Sequence, residues 1–210
     1  MAARKRKRTR KPRRKRKSAT SKWLIALLAV LVVFMGVYVG HHLYERHVQQ
    51  EILERQRNSK QAFIKAIAPE AQAMQRQYKV KASITMAQAI LESNWGTSGL
   101  ATQYHNLFGI KGDGPDSKVL TTKEYSNGKW VEIRGRFKVY DSWSDSIKDH
   151  TQLMMNGTQY KKDNYQNVVN AKTYEEAAKA LQKDNYATDP DYADKLINVI
   201  KTYSLDKYDD

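Results

Sequence analysis

The pattern of apolar and polar positions divides the chain into an apolar segment, a polar segment and a globular region. Residues 23–40, WLIALLAVLVVFMGVYVG, carry no charged side chain. As an α-helix this run would span about 27 Å, close to the roughly 30 Å hydrocarbon core of a bilayer. Residues 41–58, HHLYERHVQQEILERQRN, are polar and rich in helix formers, which predicts a helical stalk. The globular pattern begins at Ser59.

Helical periodicity dominates the globular region. Between residues 59 and 78 apolar side chains recur at helical spacing, and Pro69 predicts a break or a new first turn. The next run, SITMAQAILES, predicts an amphipathic helix with Ser83 as its N-cap. Its buried stripe comprises Ile84, Ala87, Ile90 and Leu91. Further helices are predicted at residues 143–155, 164–170, 173–183 and 190–203.

One region alternates with the period of a β-strand. Residues 118–140, KVLTTKEYSNGKWVEIRGRFKVY, contain two β-rich runs around Asn127-Gly128, which predicts a hairpin. Residues 94–117 hold five of the ten glycines and predict turns with a short helix. The predicted fold class is therefore α+β, mainly α, preceded by one N-terminal transmembrane helix.

Charge orients the N-terminal segments relative to a membrane. Residues 1–22, the basic tail, hold 13 Lys and Arg and no acid, whereas the other 188 residues hold 24 basic and 22 acidic side chains. The positive-inside rule keeps such a tail in the cytoplasm. The sequence therefore predicts a single-pass protein of the cell membrane, with residues 23–40 as the anchor and residues 59–206 outside. The tail also suits anionic lipid head groups.

Two alternatives compete with this interpretation. A cleaved signal peptide has an apolar region of about 7–15 residues and a small-x-small cleavage site. Here the apolar run is longer and His41-His42 follows it, which favours an uncleaved anchor. Nucleic-acid binding by the basic tail is disfavoured, because the tail has no aromatic side chain to stack on a base.

Several classes of site lack support in the sequence. The chain has no cysteine, which excludes a cysteine nucleophile, a thiolate metal site and a disulfide scaffold. There is no HExxH, phosphate-binding glycine loop or GxSxG motif. His105 and His150 are isolated, so we interpret each as a hydrogen-bonded structural residue. We expect no metal and no cofactor.

Two acids are candidates for catalysis. Glu92 lies at the end of an apolar helix, three residues before Trp95 and close to a glycine-rich turn. A carboxyl group in a partly apolar cleft keeps its proton near neutral pH and can donate it to a leaving oxygen. Glu124 lies on the first predicted strand. On pattern alone, each also fits a solvated surface acid. The many tyrosines and Trp95, Trp130 and Trp143 suit stacking on sugar rings or packing in the core.

Five blocks of sequence resemble the peptidoglycan hydrolases of glycoside hydrolase family 73. They are SITMAQAILESNWGTSGLA, HNLFGIKG, TTKEYSNGKW, FKVYDSWSDSIKDH and NYATDPDYADKLINVI, and they occur in the family's order across residues 59–205. The resemblance implies a lysozyme-like fold with a cleft between a helical body and a β-hairpin lobe. It also implies cleavage of β-1,4 bonds in wall glycan strands, as an endo-β-N-acetylglucosaminidase.

The resemblance also assigns site residues. Glu92 matches the family's catalytic acid and Glu124 its hairpin glutamate, whose role is open. The residues expected to bind substrate or shape the cleft are Trp95, Asn106, Phe108, Tyr125 and Tyr186. Asn94 departs from the glycine that is common at its position.

Other activities remain open at this stage. An N-acetylmuramidase or a lytic transglycosylase would share the fold and the acid. A non-catalytic wall-binding scaffold is disfavoured by the presence of both Glu92 and Glu124.

Overall fold

The structure is a computed structural model that describes residues 19–126 and 129–209. Within these ranges the side chains at 19–21, 122–131 and 133 are not described. Most of the basic tail and the predicted Asn127-Gly128 turn therefore lie outside the described residues.

Seven α-helices and one antiparallel pair of strands form the described part of the chain. The helices are α1 (Ala19–Tyr78), α2 (Ala82–Ser93), α3 (Gly99–Tyr104), α4 (Trp143–Asn156), α5 (Gln166–Val169), α6 (Tyr174–Lys183) and α7 (Tyr192–Tyr203). The strands are β1 (Ser117–Ser126) and β2 (Lys129–Lys138), and a 3₁₀ turn, Leu205–Tyr208, follows α7. The predicted class, mainly α with one hairpin, is confirmed.

Residue contacts divide the chain into two units, residues 1–55 and 56–210. The first unit includes an 18-residue window of mean hydropathy 2.6, none of it buried. By length and composition this stretch is able to cross a membrane, and a signal sequence meets the same criterion. The second unit contains the hydrophobic core.

Helix α1 runs through Pro69 without the predicted break. Proline removes one backbone donor and crowds the carbonyl four residues earlier, which disfavours a helix interior. Here the buried side chains of α1 continue on both sides of the proline, with Ile67 and Ala68 before it and Ala71 and Met74 after it. Burial of this continuous apolar face outweighs the local cost of the proline.

Helix α2 is the centre of the core and is not amphipathic as the sequence predicted. Ten of its twelve residues are buried, including the polar Ser83, Thr85 and Gln88. Leu91, expected in the buried stripe, is only partly buried. The helix packs against α6, α7 and the 3₁₀ turn, so almost every side of it meets protein.

The N-terminus of α2 is capped by distant residues. The prediction of Ser83 as N-cap is wrong, because Lys81 occupies that position without a side-chain cap. Asp209 instead accepts hydrogen bonds from the Ser83 backbone N–H at 2.8 Å and from the Ser83 hydroxyl at 2.6 Å. The Gln75 side chain accepts from the Ala82 N–H at 2.6 Å. Tertiary contacts thus satisfy donors that a helix end leaves free.

The hairpin is fixed to the body at its base. Strands β1 and β2 pair in register from Ser117 opposite Lys138 to Ser126 opposite Lys129. At the base, the Lys138 ammonium donates to both carboxylate oxygens of Asp149 on α4, at 3.0 and 2.9 Å. The other end of the hairpin, where Glu124 lies, is therefore the end farther from these attachments.

Candidate active site

The end of α2 places Glu92 beside a sharp reversal of the chain. Asn94 and Trp95 both have left-handed backbone angles, with φ of 48° and 61°. The Ser93 hydroxyl accepts a hydrogen bond from the Gly96 N–H at 2.7 Å and thereby holds the reversal. Asparagine tolerates this conformation better than most residues, which explains how Asn94 replaces a glycine here.

Gly96 is required by both its backbone angle and its surroundings. Its φ is 72°, and a Cβ there would lie 2.6 Å from an atom of the Phe63 ring and 3.0 Å from the Trp143 ring. The chain therefore passes close to two aromatic rings directly after Glu92. The need for glycine at position 96 is consistent with the end of α2 at Ser93.

Glu92 combines an open face with a poorly hydrated carboxyl group. Its side chain is exposed as a whole, yet protein atoms around the carboxyl group displace much of the water that an ordinary surface acid would have. Loss of solvation raises the pKa of Glu92, and a hydrogen bond from Tyr192 opposes that rise. The Tyr192 hydroxyl donates to Glu92 Oε1 at 2.8 Å. The group is thus disposed to hold and deliver a proton.

Tyrosine rings from the start of α7 and from the α6–α7 connection form the wall next to this acid. Tyr186 stacks on Tyr192 with ring centroids 5.8 Å apart and meets Tyr165 edge to face at 5.8 Å. Burial, followed by the nearby charge of Glu92, raises the pKa of the Tyr186 hydroxyl. The structure therefore brings Tyr186 and Glu92, two of the predicted residues, close together.

Phe108 belongs to a layer behind Tyr186. Its ring is 6% exposed and stacks on His150 with centroids 3.9 Å apart. His150 in turn meets Tyr186 edge to face at 6.0 Å. Neither ring nitrogen of His150 has a hydrogen-bond partner among the described residues, so the expectation of a hydrogen-bonded histidine is wrong at this position. The same expectation is confirmed for His105, whose Nδ1 lies 2.9 Å from the Tyr140 carbonyl oxygen.

Asn106 supports the hairpin from inside the protein. Its side chain is 1% exposed. The amide nitrogen donates to the carbonyls of Ile110 and Lys138, each at 3.0 Å, and the amide oxygen accepts from the Ile110 N–H at 3.1 Å. The buried Asn106 therefore fixes the base of β2 relative to the preceding loop.

Trp95 packs toward α1 and α7. Its ring meets Tyr203 at 4.6 Å and Phe63 at 6.3 Å, both edge to face. The Lys60 ammonium lies 4.9 Å from the indole centroid. These contacts give Trp95 a role in packing, and its predicted place in the cleft wall stays a prediction.

Glu124 and Tyr125 have a described backbone but no described side chain. Both lie on β1, where Glu124 pairs with Val131 and Tyr125 with Trp130. The predicted roles of Glu124 and Tyr125 therefore remain predictions.

A cavity of about 730 Å³ lies at the base of the hairpin, and Glu92 does not line it. Its lining includes Asp116, Lys138, Tyr140, Asp145 and Asp149. Asp149 is already engaged by Lys138 and by the Tyr140 hydroxyl, the latter at 2.7 Å. Glu92, whose pKa is raised by loss of solvation, is therefore the stronger candidate for a proton donor. No group of three or more His, Cys, Asp or Glu side chains suited to a metal occurs among the described residues.

Comparison with known proteins identifies the family. A family model described as mannosyl-glycoprotein endo-β-N-acetylglucosaminidase matches residues 68–205. The chain belongs to this glucosaminidase family. The predicted resemblance is thereby confirmed, and the chain is a glycoside hydrolase.

Curated relatives of the glucosaminidase family carry different names. The exo-glucosaminidase LytG of Bacillus subtilis is 39% identical over 197 residues, which cover 93% of this chain and 70% of the relative. A probable N-acetylmuramidase of Lactococcus lactis subsp. cremoris is 38% identical over 185 residues, or 85% of this chain. This chain spans only 41% of that second relative.

Solved structures of glucosaminidase relatives share the fold. The catalytic domain of the autolysin Auto from Listeria monocytogenes aligns with a TM-score of 0.66 and 40% identity, covering 72% of this chain and 88% of that domain. A truncated glycoside hydrolase domain of FlgJ from Salmonella typhimurium aligns with a TM-score of 0.56 and 31% identity. The alignment covers 69% of this chain and 97% of that domain. The lysozyme-like class is thus confirmed.

The sequence analysis did not identify Tyr192 and Gln88, which form a chain of hydrogen bonds ending at Glu92. Tyr192 hydrogen-bonds Glu92, and Gln88 donates to the Tyr192 hydroxyl at 3.3 Å. A signal was present, because Gln88 is a polar residue one turn before Glu92 in an otherwise apolar run. Tyr192 gave no such signal, because a tyrosine at the start of a helix fits packing in the core equally well.

Proposed function

We propose that the chain is a membrane-anchored peptidoglycan hydrolase that cleaves β-1,4 glycosidic bonds of wall glycan strands, with Glu92 as the general acid. One observation carries the proposal. In a member of the glucosaminidase family, a partly desolvated carboxyl group with a raised pKa lies at an open face, beside stacked tyrosines. Such a group can protonate the leaving glycosidic oxygen.

The bond after N-acetylglucosamine is the favoured target, cut within the strand. The family description supports this choice. The relatives named N-acetylmuramidase support the alternative, cleavage of the other alternating bond. The relative named exo-glucosaminidase supports a second alternative, release from strand ends. Lytic transglycosylation is a further alternative. Analysis of the reducing-end sugar and the length of the released fragments distinguishes these outcomes.

Glu124 is proposed to act on the far side of the sugar from Glu92. As a general base it would activate a water, which requires carboxyl groups about 6.5–9.5 Å apart and inverts the anomer. Alternatively, the substrate's 2-acetamido group attacks and Glu124 orients it. We favour either route over a covalent glycosyl ester on Glu124, which requires a separation of about 5–5.5 Å. NMR of the first anomer released, together with the rate of Glu124→Gln, decides between them.

Anchoring rests on the apolar window within α1 and on the basic residues before it. We propose that residues 23–40 cross the membrane, that the basic tail contacts anionic lipid in the cytoplasm, and that the domain of residues 59–206 lies outside. The 41–58 stalk would then limit the enzyme to glycan near the bilayer.

The catalytic assignment is tested with Glu92→Gln in the full chain purified in detergent. The variant keeps the shape of the side chain and removes the transferable proton. We expect release of glycan fragments from purified peptidoglycan to fall by about 10²–10⁴-fold. Glu54→Gln makes the same change at an exposed position on α1 and should retain full activity. Full activity in Glu92→Gln would overturn the assignment.

A further inference from the structure

Gln88 and Glu92 lie one helical turn apart on α2, and both reach the same atom on α7. The Gln88 amide donates a hydrogen bond to the Tyr192 hydroxyl oxygen at 3.3 Å. The Tyr192 hydroxyl donates to Glu92 Oε1 at 2.8 Å. Gln88 is fully buried and Tyr192 is 4% exposed, so bulk water cannot easily replace either partner.

The direction of these hydrogen bonds follows from the orientation of the Gln88 amide, whose nitrogen faces the Tyr192 hydroxyl. A tyrosine hydroxyl has one proton to donate and two lone pairs to accept. The oxygen accepts from Gln88, and the proton points to Oε1. If Glu92 carried its own proton on Oε1, two donors would face each other, and the Tyr192 proton would have to turn away from its partner. Leaving a buried hydroxyl without an acceptor is costly.

We propose that Tyr192 is a positioning residue that confines the acid proton of Glu92 to Oε2, with Gln88 holding the Tyr192 hydroxyl in the donor orientation. The inference deepens the proposed function, since it concerns the acid of that reaction. Tyr192 touches Glu92 and acts through it. One oxygen of the carboxyl group is held by the protein, and the other presents the proton to the leaving group.

Among the side chains that the structure describes, two titratable groups face Glu92 from the elements packed against α2. Tyr192 faces it from α7, and Tyr186 faces it from the connection between α6 and α7. Burial and the charge of Glu92 raise the pKa of both tyrosines, so both keep their protons while Glu92 titrates. Asp209 lies at the opposite end of α2, where it binds Ser83. A change at Tyr192 therefore reports on its hydrogen bond to Glu92.

The decisive measurement is the titration of Glu92 in the full chain, followed by NMR of carbon-13 in labelled glutamate side chains. The Glu92 signal is assigned by its loss in Glu92→Gln. Tyr192→Phe removes the donor that stabilises the carboxylate, so the Glu92 titration should move to higher pH. The alkaline limb of kcat/KM should move in the same direction. With the proton free to occupy either oxygen, kcat should fall by about twofold, and by more if the carboxyl group also loses its orientation, while KM changes little.

Tyr165→Phe is the matched control. Tyr165 is also buried and packs against Tyr186, but its hydroxyl does not bond to Glu92. The variant should leave the Glu92 titration and the alkaline limb in place. An equal shift in both variants would show a general packing effect and overturn the inference, as would an unchanged titration in Tyr192→Phe.

Gln88→Met provides a second, independent variant. It removes the donor to Tyr192 and leaves the Tyr192–Glu92 contact, so the titration should move in the same direction by a smaller amount. If the Glu92 titration moved further in Gln88→Met than in Tyr192→Phe, Gln88 could not act on Glu92 through Tyr192, and the proposal would be contradicted. The titration does not depend on glycan cleavage. Failure of the proposed function, seen as full activity in Glu92→Gln, is therefore distinguishable from failure of this inference.

Discussion

At the residue scale, the poorly solvated carboxyl group of Glu92 is expected to lower stability at neutral pH. Loss of solvation raises its pKa in the folded protein above the ordinary value of 4.5. Below that value the side chain is protonated in both the folded and the unfolded chain. As pH rises through the folded pKa, the unfolded chain has already released the proton, so the folded state loses stability relative to it.

Glu92→Gln should therefore be more stable than the wild type at neutral pH and equally stable near pH 4. The measurement is thermal unfolding of both proteins between about pH 4 and pH 8. Glu54→Gln, at an exposed position, should follow the wild-type curve throughout. A wild type that is more stable than Glu92→Gln at neutral pH would contradict the stated direction of the pKa shift.

His150 makes the opposite contribution at acid pH. Burial lowers its pKa from 6.5 to about 3, with the charge of Asp149 opposing the shift. Below pH 6.5, His150 is protonated in the unfolded chain but stays neutral in the folded chain. Stability is therefore lost as pH falls from 6.5 toward 3. At pH 5 this loss amounts to about 2 kcal/mol.

His150→Leu should remove this acid sensitivity. Urea unfolding at pH 7 and pH 5 gives the loss for each protein, and the variant should lose about 2 kcal/mol less than the wild type. The comparison cancels the cost of the lost stacking on Phe108, because that cost is present at both pH values. Equal losses in the two proteins would show that His150 does not titrate in this window.

At the element scale, α2 depends on a residue 126 positions away for its N-terminal cap. Asp209 accepts two hydrogen bonds from Ser83, whose side chain is fully buried. Asp209→Ala leaves those donors without a partner and should lower the free energy of unfolding by about 1–3 kcal/mol. Denaturant unfolding checks this value. Asp206→Ala, at an exposed position in the 3₁₀ turn just before Asp209, should change stability by no more than about 0.5 kcal/mol.

At the scale of the whole molecule, the basic tail and the apolar window predict a fixed topology. Protease added to intact protoplasts should digest the chain beyond about residue 50 and leave the tail protected, because the positive-inside rule keeps the tail in the cytoplasm. Immunoblotting of a tag placed at the N-terminus measures the protected fragment. A protected domain, or a mature N-terminus near residue 41, would contradict anchoring by residues 23–40.

Local sequence patterns predicted most of the helices and strands and singled out Glu92 as the candidate acid. Helical and alternating periodicity are local properties, so they predicted the later helices and both strands of the hairpin. Glu92 was identifiable because an acid at the end of an apolar helix, before a glycine turn, is unusual locally and occurs within a family motif. The apolar run of residues 23–40 was equally evident, since a membrane span is defined by composition and length.

The contacts around those elements and around Glu92 depend on the folded chain and could not be read from local patterns. Residues 85 and 88 of α2 are polar, which predicts an exposed face, yet α6, α7 and the 3₁₀ turn cover that helix. Pro69 predicts a break, and burial on both sides of it maintains the helix. The partners of Glu92 and Ser83 lie 100 and 126 positions away, and no local pattern encodes such distances. The pKa of Glu92 depends on these long-range contacts, because solvation and hydrogen bonding are set by whatever the folded chain brings near the carboxyl group.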